Sequence, residues 1–199
     1  MNIIRWFGLA ILSLPLLAFA DVKDNSTGEV FPSTVTIDKG GQKFTLNATG
    51  VATRKKFFVK VYSVAHYMEG SLNSNADIFQ QILQDGKAKQ LTIKWVHDAP
   101  LDKVKTGYQE SFQNALSPDQ LNQLQPDINK YLGLFTQDVK SGDQHILQWL
   151  PGGNIVVFIN GKQVGTFSNK DFAVALWSLW FGPKSFVNKD KLVSLIRGG

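Results

Sequence analysis

Four side chains in the stretch RKKFFVKVYSVAHYM, residues 54–68, carry groups suited to holding an anion: Arg54, Lys56, Lys60 and Tyr62. A guanidinium offers a planar fork of N–H donors that matches a carboxylate in a bidentate manner, and a phenol adds one more donor. The stretch alternates side chains as a strand would. Extended over 54–68, it puts Arg54, Lys56, Phe58, Lys60, Tyr62, Val64 and His66 on one face. Phe57, Val59, Val61, Ala65 and Tyr67 share the other, which reads as core. The cationic face fits two roles. It is a solvated sheet surface guarded by lysines, or it is the floor of a cleft. In the second role Phe58 and Val64 supply apolar contact while Arg54 and Tyr62 converge on an anionic head group.

Other chemistry finds little support. His66, His97 and His145 are widely separated and form no HxxxH or HExxH pair, so each reads as a structural residue and no metal is expected. There is no Gly-x-Ser-x-Gly elbow and no phosphate loop, since Gly161 to Gly165 falls inside a hairpin. Asp98 and Asp102 flank a helix start, where the dipole favours acids without any catalytic role. Trp149, Trp177 and Trp180 sit among aliphatic neighbours and read as core. The absence of cysteine excludes disulfides, thiolate catalysis and Cys-based metal sites. No cofactor is implied.

The elements that must position the basic stretch follow from periodicity. Residues 1–20 have a cation at Arg5, an apolar run and an Ala18-Phe19-Ala20 ending, the pattern of a secretory signal peptide cleaved between Ala20 and Asp21. Cleavage leaves 179 residues and a net charge of +4, one unit below the formal +5 of the whole chain. The mature chain then has no membrane-spanning segment, and its interspersed charges suit a small anionic partner better than nucleic acid. A periplasmic or secreted location follows. Residues 21–33 are polar and read as a flexible leader, with a single domain over 34–199.

Within that domain TVTID and QKFTLNATGVAT flank a Gly40-Gly41 turn, and LTIKWVH alternates as a strand. DQHILQWL, NIVVFIN and KQVGTF form a meander through Pro151-Gly152-Gly153 and Asn160-Gly161. Helical spacing appears over 74–86, capped by Ser74 or Asn75, and from Pro100, where Leu101, Val104, Tyr108, Phe112 and Leu116 form one stripe. Ser117-Pro118-Asp119-Gln120 reads as a capping box, and Pro126 is expected to divide the helix it opens. A helix after Ser168 or Asn169 ends at Gly182-Pro183, and NKDKLVSLIR forms a last one. The class is α+β with a mainly antiparallel sheet.

Three blocks, GVATRKKFFVKVYSVAHYM, VKSGDQHILQWLPGGNIVVFINGKQVG and FAVALWSLWFGPKSFVNKDKLVSLI, resemble in order the bacterial exported branch of the chalcone isomerase-like family. The resemblance implies an open-faced β-sandwich, a large antiparallel sheet covered by a helical layer with a ligand cleft between. Plant members cyclise chalcones, with an Arg holding the phenolate and hydroxyl and amide groups polarising the enone. Non-catalytic members bind fatty acids through an Arg and a Tyr. Arg54 matches the family Arg, and Tyr62 stands where fatty-acid binders carry Tyr and isomerases Thr. The isomerase Tyr, Asn and Thr or Ser fall near Pro100, near Gly107 and at Leu179, none of which supplies a polar side chain.

The resemblance therefore implies a non-catalytic binder of a fatty acid or similar amphipathic anion. Arg54, Tyr62 and Phe58 form the site, and the helices of Leu101 and Phe172 line its apolar part. Two alternatives stand beside it. One is an isomerase or intramolecular lyase on an enone-like substrate, with Arg54 as anion holder and Tyr62 as general acid. The other is an envelope interaction protein using the basic face on partners or anionic lipid.

Overall fold

The computed structural model describes residues 21–73 and 76–197. The expected signal peptide, with its cleavage point after Ala20, and the expected caps Ser74 and Asn75 lie outside the described residues. The elements are β1 Asp21–Lys23, β2 Val30–Pro32, β3 Thr34–Lys39, β4 Gln42–Lys56, β5 Val59–Glu69, α1 Ile78–Leu83, β6 Lys89–Trp95 and α2 Leu101–Ala115. They continue with α3 Pro118–Gly133, β7 Gln144–Leu150, β8 Asn154–Ile159, β9 Lys162–Ser168, α4 Lys170–Phe181, a 3-10 turn Lys191–Val193 and α5 Ser194–Arg197. Strands β3 to β9 make one seven-stranded sheet in chain order, every neighbouring pair antiparallel.

Both faces of this sheet are covered. On one, Tyr62, Val64, Leu91 and Trp95 meet Val104, Tyr108 and Phe112 of α2, Ile128 and Tyr131 of α3, and nearly the whole circumference of α4. On the other, Ala65 and Tyr67 of β5 join Phe31, Ile37, Phe44 and Leu46. The helices that cover the first face begin where expected. Ser117 accepts from the Gln120 N–H while the Gln120 side chain accepts from the Ser117 N–H, the reciprocal pair of a capping box. Asn169 caps α4 by accepting from the N–H groups of Asp171 and Phe172.

Four expectations are corrected. Residues 54–68 are not one strand but two, with Lys56 paired to Val59 across a two-residue loop of Phe57 and Phe58. Phe57 takes a φ of 55°, a conformation that turn formers such as Gly adopt readily and a bulky residue rarely does, so composition concealed the turn. Residues 21–33 are not a loose leader. Strands β1 and β2 pair as a ribbon, Phe31 is fully buried, and Asp24 accepts hydrogen bonds from Thr53 (2.6 Å), Ser63 (2.7 Å) and the Ser26 N–H (2.9 Å). Burial alone would raise the Asp24 pKa, but those donors hold it below the usual carboxylate range.

Pro126 does not divide α3, which runs unbroken through it. Pro126 and Asn122 are both exposed, so water can satisfy the Asn122 carbonyl that loses its intrahelical donor. The C-terminal helix is shorter than NKDKLVSLIR suggested, a 3-10 turn followed by a single α turn. That turn packs directly onto β4. A Cβ at Gly50 would lie 2.1 Å from the Lys191 carbonyl, so only glycine allows this approach.

His66 is buried here as a structural residue. The Thr49 hydroxyl donates to the Leu192 carbonyl at 2.6 Å, so it accepts from His66 Nδ1 at 2.7 Å, and His66 Nε2 accepts from the Trp177 indole at 3.4 Å. Burial, with Lys89 adding like charge, pushes its pKa well down, so the ring is neutral.

Candidate ligand site

A cavity of about 360 Å³ opens between the β4–β5–β6 end of the sheet and α2. That volume lies within the usual range for small-molecule pockets. Its floor is a row of three side chains crossing three strands. Arg54 on β4 is directly opposite Tyr62 on β5, and Tyr62 is directly opposite Trp95 on β6. Tyr62 and Trp95 meet edge to face at 5.3 Å. Val104, Gly107 and Tyr108 of α2 form the facing wall, and Phe186, in the segment after α4, completes it.

Arg54 is held in place without being neutralised. Its guanidinium stacks 3.9 Å above the Phe186 ring and donates one long hydrogen bond, 3.4 Å, to the Phe186 carbonyl. No carboxylate pairs with it among the described residues. Several of its N–H donors are therefore left for an anion in the cavity.

Tyr62 is 3% exposed, and its hydroxyl accepts from the Trp180 indole at 3.2 Å. That bond fills an acceptor position and leaves the hydroxyl proton free to be donated. Burial raises its pKa strongly, the Arg54 charge opposing only part of the effect. Tyr62 is thus a neutral donor, unsuited to serve as a base. The buried Tyr108 hydroxyl finds no hydrogen-bond partner among the described residues. Burial carries its pKa up to about 12 against the pull of the nearby Tyr131 hydroxyl and of Arg54.

Sequence reasoning placed Arg54, Tyr62 and the α2 helix in the cleft, and the structure brings these together at one cavity. It does not bring Phe58, which is fully exposed at the hairpin loop; Phe57 borders the cavity instead. The Phe172 helix, α4, contributes no lining residue. Phe172 stacks in the core with Phe112 at 6.1 Å and Phe167 at 4.7 Å, and Leu179 is likewise core. Of the three positions without isomerase groups, Pro100 and Gly107 line the cavity and Leu179 does not. Missed were Trp95, whose alternation with Lys94 signalled the correct face, and Phe186, which has no local signal.

No curated protein sequence matches the chain. Among solved structures, a fatty-acid binding protein from Arabidopsis thaliana superposes with a TM-score of 0.71 at 17% identity, over 90% of this chain and 97% of its own. At that identity the likeness is one of fold, a curled antiparallel sheet with helices. The chalcone isomerase-like family model matches residues 24–192, which include every strand of the large sheet and every residue around the cavity. The chain belongs to the chalcone isomerase-like family.

Proposed function

We propose that the chain is a non-catalytic binding protein that holds a fatty acid or similar amphipathic anion in the Arg54–Tyr62 cavity, and that it acts in the periplasm or outside the cell once residues 1–20 are removed. The observation that carries this reading is a guanidinium with no acidic partner among the described residues, directly opposite a buried hydroxyl donor, at an otherwise largely apolar cavity. Arg54 and Tyr62 hold the head group while Val104, Trp95 and the open side of α2 at Gly107 take the alkyl portion. The solved relative of the same fold is named as a fatty-acid binding protein, which agrees with this ligand class.

Mass spectrometry of organic extracts tests the proposal. Protein purified from its export compartment should carry an amphipathic acid in near-stoichiometric amount. Each charge-assisted contact contributes about 1.5–3 kcal/mol, so Arg54→Ala should lower the bound fraction roughly tenfold or more. Equal lipid content in parent and variant overturns the assignment.

A further inference from the structure

The Phe57–Phe58 loop raises a separate question, because it breaks three local rules at once. Phe58 is fully exposed, Phe57 is 89% exposed and Val59 43%, which makes this tip the largest grouping of exposed apolar side chains among the described residues. Phe57 holds a positive φ at the first loop position, where Gly is the favoured residue. Lys55 and Lys60 are direct cross-strand partners, a like-charge pair that weakens a hairpin. Substituting Gly, Asn or Ser at the tip and an acid at either lysine would relieve all three.

We propose that this tip is a membrane-docking wedge for anionic bilayers. Phe57 and Phe58 enter the boundary between head groups and acyl chains, and Lys55, Lys56 and Lys60 sit just behind them at head-group level. None of these lysines has an ion-pair partner among the described residues, and Asp98, the one acid beside the cavity, already pairs with Lys140 at 3.4 Å. Lys55 and Lys56 are therefore free to meet lipid phosphates, and Lys60, which also donates to the Ser26 carbonyl, adds its unpaired charge at the same level, each contributing about 1 kcal/mol close to an anionic surface.

Size argues against a second copy of the chain as the occupant. Two Phe rings cover about 300–500 Å² at most, well short of the roughly 800 Å² per partner of a stable protein interface. A bilayer needs no matching surface; it takes individual side chains by depth. Lys56, Phe57 and Val59 also border the cavity, so docking at the tip sets the mouth of the cavity against the lipid from which an amphipathic ligand would enter. That last step rests on the proposed function; the docking does not.

Co-sedimentation with vesicles of pure phosphatidylglycerol and of pure phosphatidylcholine tests it. The parent should sediment with the first far more than with the second. A Phe57→Ser, Phe58→Ser double variant, folded by circular dichroism because both positions are exposed, should bind about tenfold or more weakly. A Lys55→Gln, Lys56→Gln, Lys60→Gln variant should lose the preference for the anionic vesicles. Failure of the parent to bind phosphatidylglycerol, or parental binding by the Phe double variant, overturns the proposal. So does a parent that is dimeric where the Phe double variant is monomeric. Vesicle binding by a protein that carries no lipid overturns only the ligand assignment, and lipid carried by a protein that ignores vesicles overturns only the wedge.

Discussion

Arg54 and Tyr62 are directly opposite each other on β4 and β5 because the register slips by one residue between Arg54 and Lys55. Continued from the Lys55–Lys60 pair without that slip, Arg54 would oppose Val61 and point to the other face of the sheet. The bulge turns one side chain into the cavity and leaves the lysines beyond it at the rim. Bulges commonly re-aim side chains next to sites in this way.

The two members of the pair should respond differently to removal. Tyr62→Phe strands the buried Trp180 N–H, which has no other acceptor among the described residues, and should cost about 1–3 kcal/mol of stability, read as a lower urea midpoint. Arg54 is partly exposed and makes one long hydrogen bond, so Arg54→Ala should cost less while losing more bound ligand. If Arg54→Ala proves the more destabilising of the two, Arg54 is chiefly a structural residue.

Gly107 makes the cavity accessible to a direct steric test. It sits inside α2, and a Cβ there would meet nothing within 4 Å. Gly107→Ala should stabilise the protein by about 1 kcal/mol through helix propensity and keep the ligand. Gly107→Phe should project into the same space, keep the fold and expel the ligand. Full lipid content in Gly107→Phe would place the ligand elsewhere.

Helix α2, the starts of α3 and α4 and the β7–β8–β9 meander were legible because their signals are local. A 3.6-residue stripe over Leu101 to Leu116, a Ser117–Gln120 capping box and an Asn160-Gly161 turn each depend on a few neighbours in the chain. The β4–β5 turn was not legible. Neither Phe57 nor Phe58 is a turn former, and the alternation of the sequence runs on across them. That Arg54 and Tyr62 nevertheless share a face is due to the bulge, which offsets the change of parity made by the two-residue loop. Phe186 and the β1–β2 ribbon depend wholly on tertiary packing: Phe186 on the chain crossing back over Arg54, and the ribbon on Phe31 and Asp24 finding partners in the sheet.

Stability should rise with pH in two separate windows. His66 and His145 are neutral in the fold, the first pushed well below its usual pKa and the second to about 4, both by burial. Their unfolded pKa is near 6.5, so the unfolded chain binds more protons below it and stability falls as pH drops from about 6.5 towards 4. Lys89, fully buried with its ammonium 3.6 Å from the Trp149 ring, is pushed by burial down to about 7. Its unfolded pKa is near 10.4, so stability should also climb between about 7 and 10. Urea midpoints across pH should show both slopes, and Lys89→Met should remove the alkaline one. A flat alkaline profile in the parent would mean that Lys89 stays charged in place.

Naringenin chalcone gives the sharpest contrast between binding and catalysis. Ring closure develops enolate charge, which an efficient catalyst meets with hydrogen-bond donors arranged beforehand. Arg54 and Tyr62 offer donors to an anion and Tyr108 adds a buried hydroxyl on the wall opposite, but Pro100, Val104 and Gly107 supply no side-chain donor there, and Leu179 is away from the cavity. Tyr62, its pKa raised by burial, gives up a proton poorly at neutral pH. The expected outcome is a cyclisation rate equal to the uncatalysed background and unchanged in Tyr62→Phe. A rate above background that Tyr62→Phe abolishes would make the hydroxyl a general acid, and the same Arg54–Tyr62 pair would then be the centre of an isomerase.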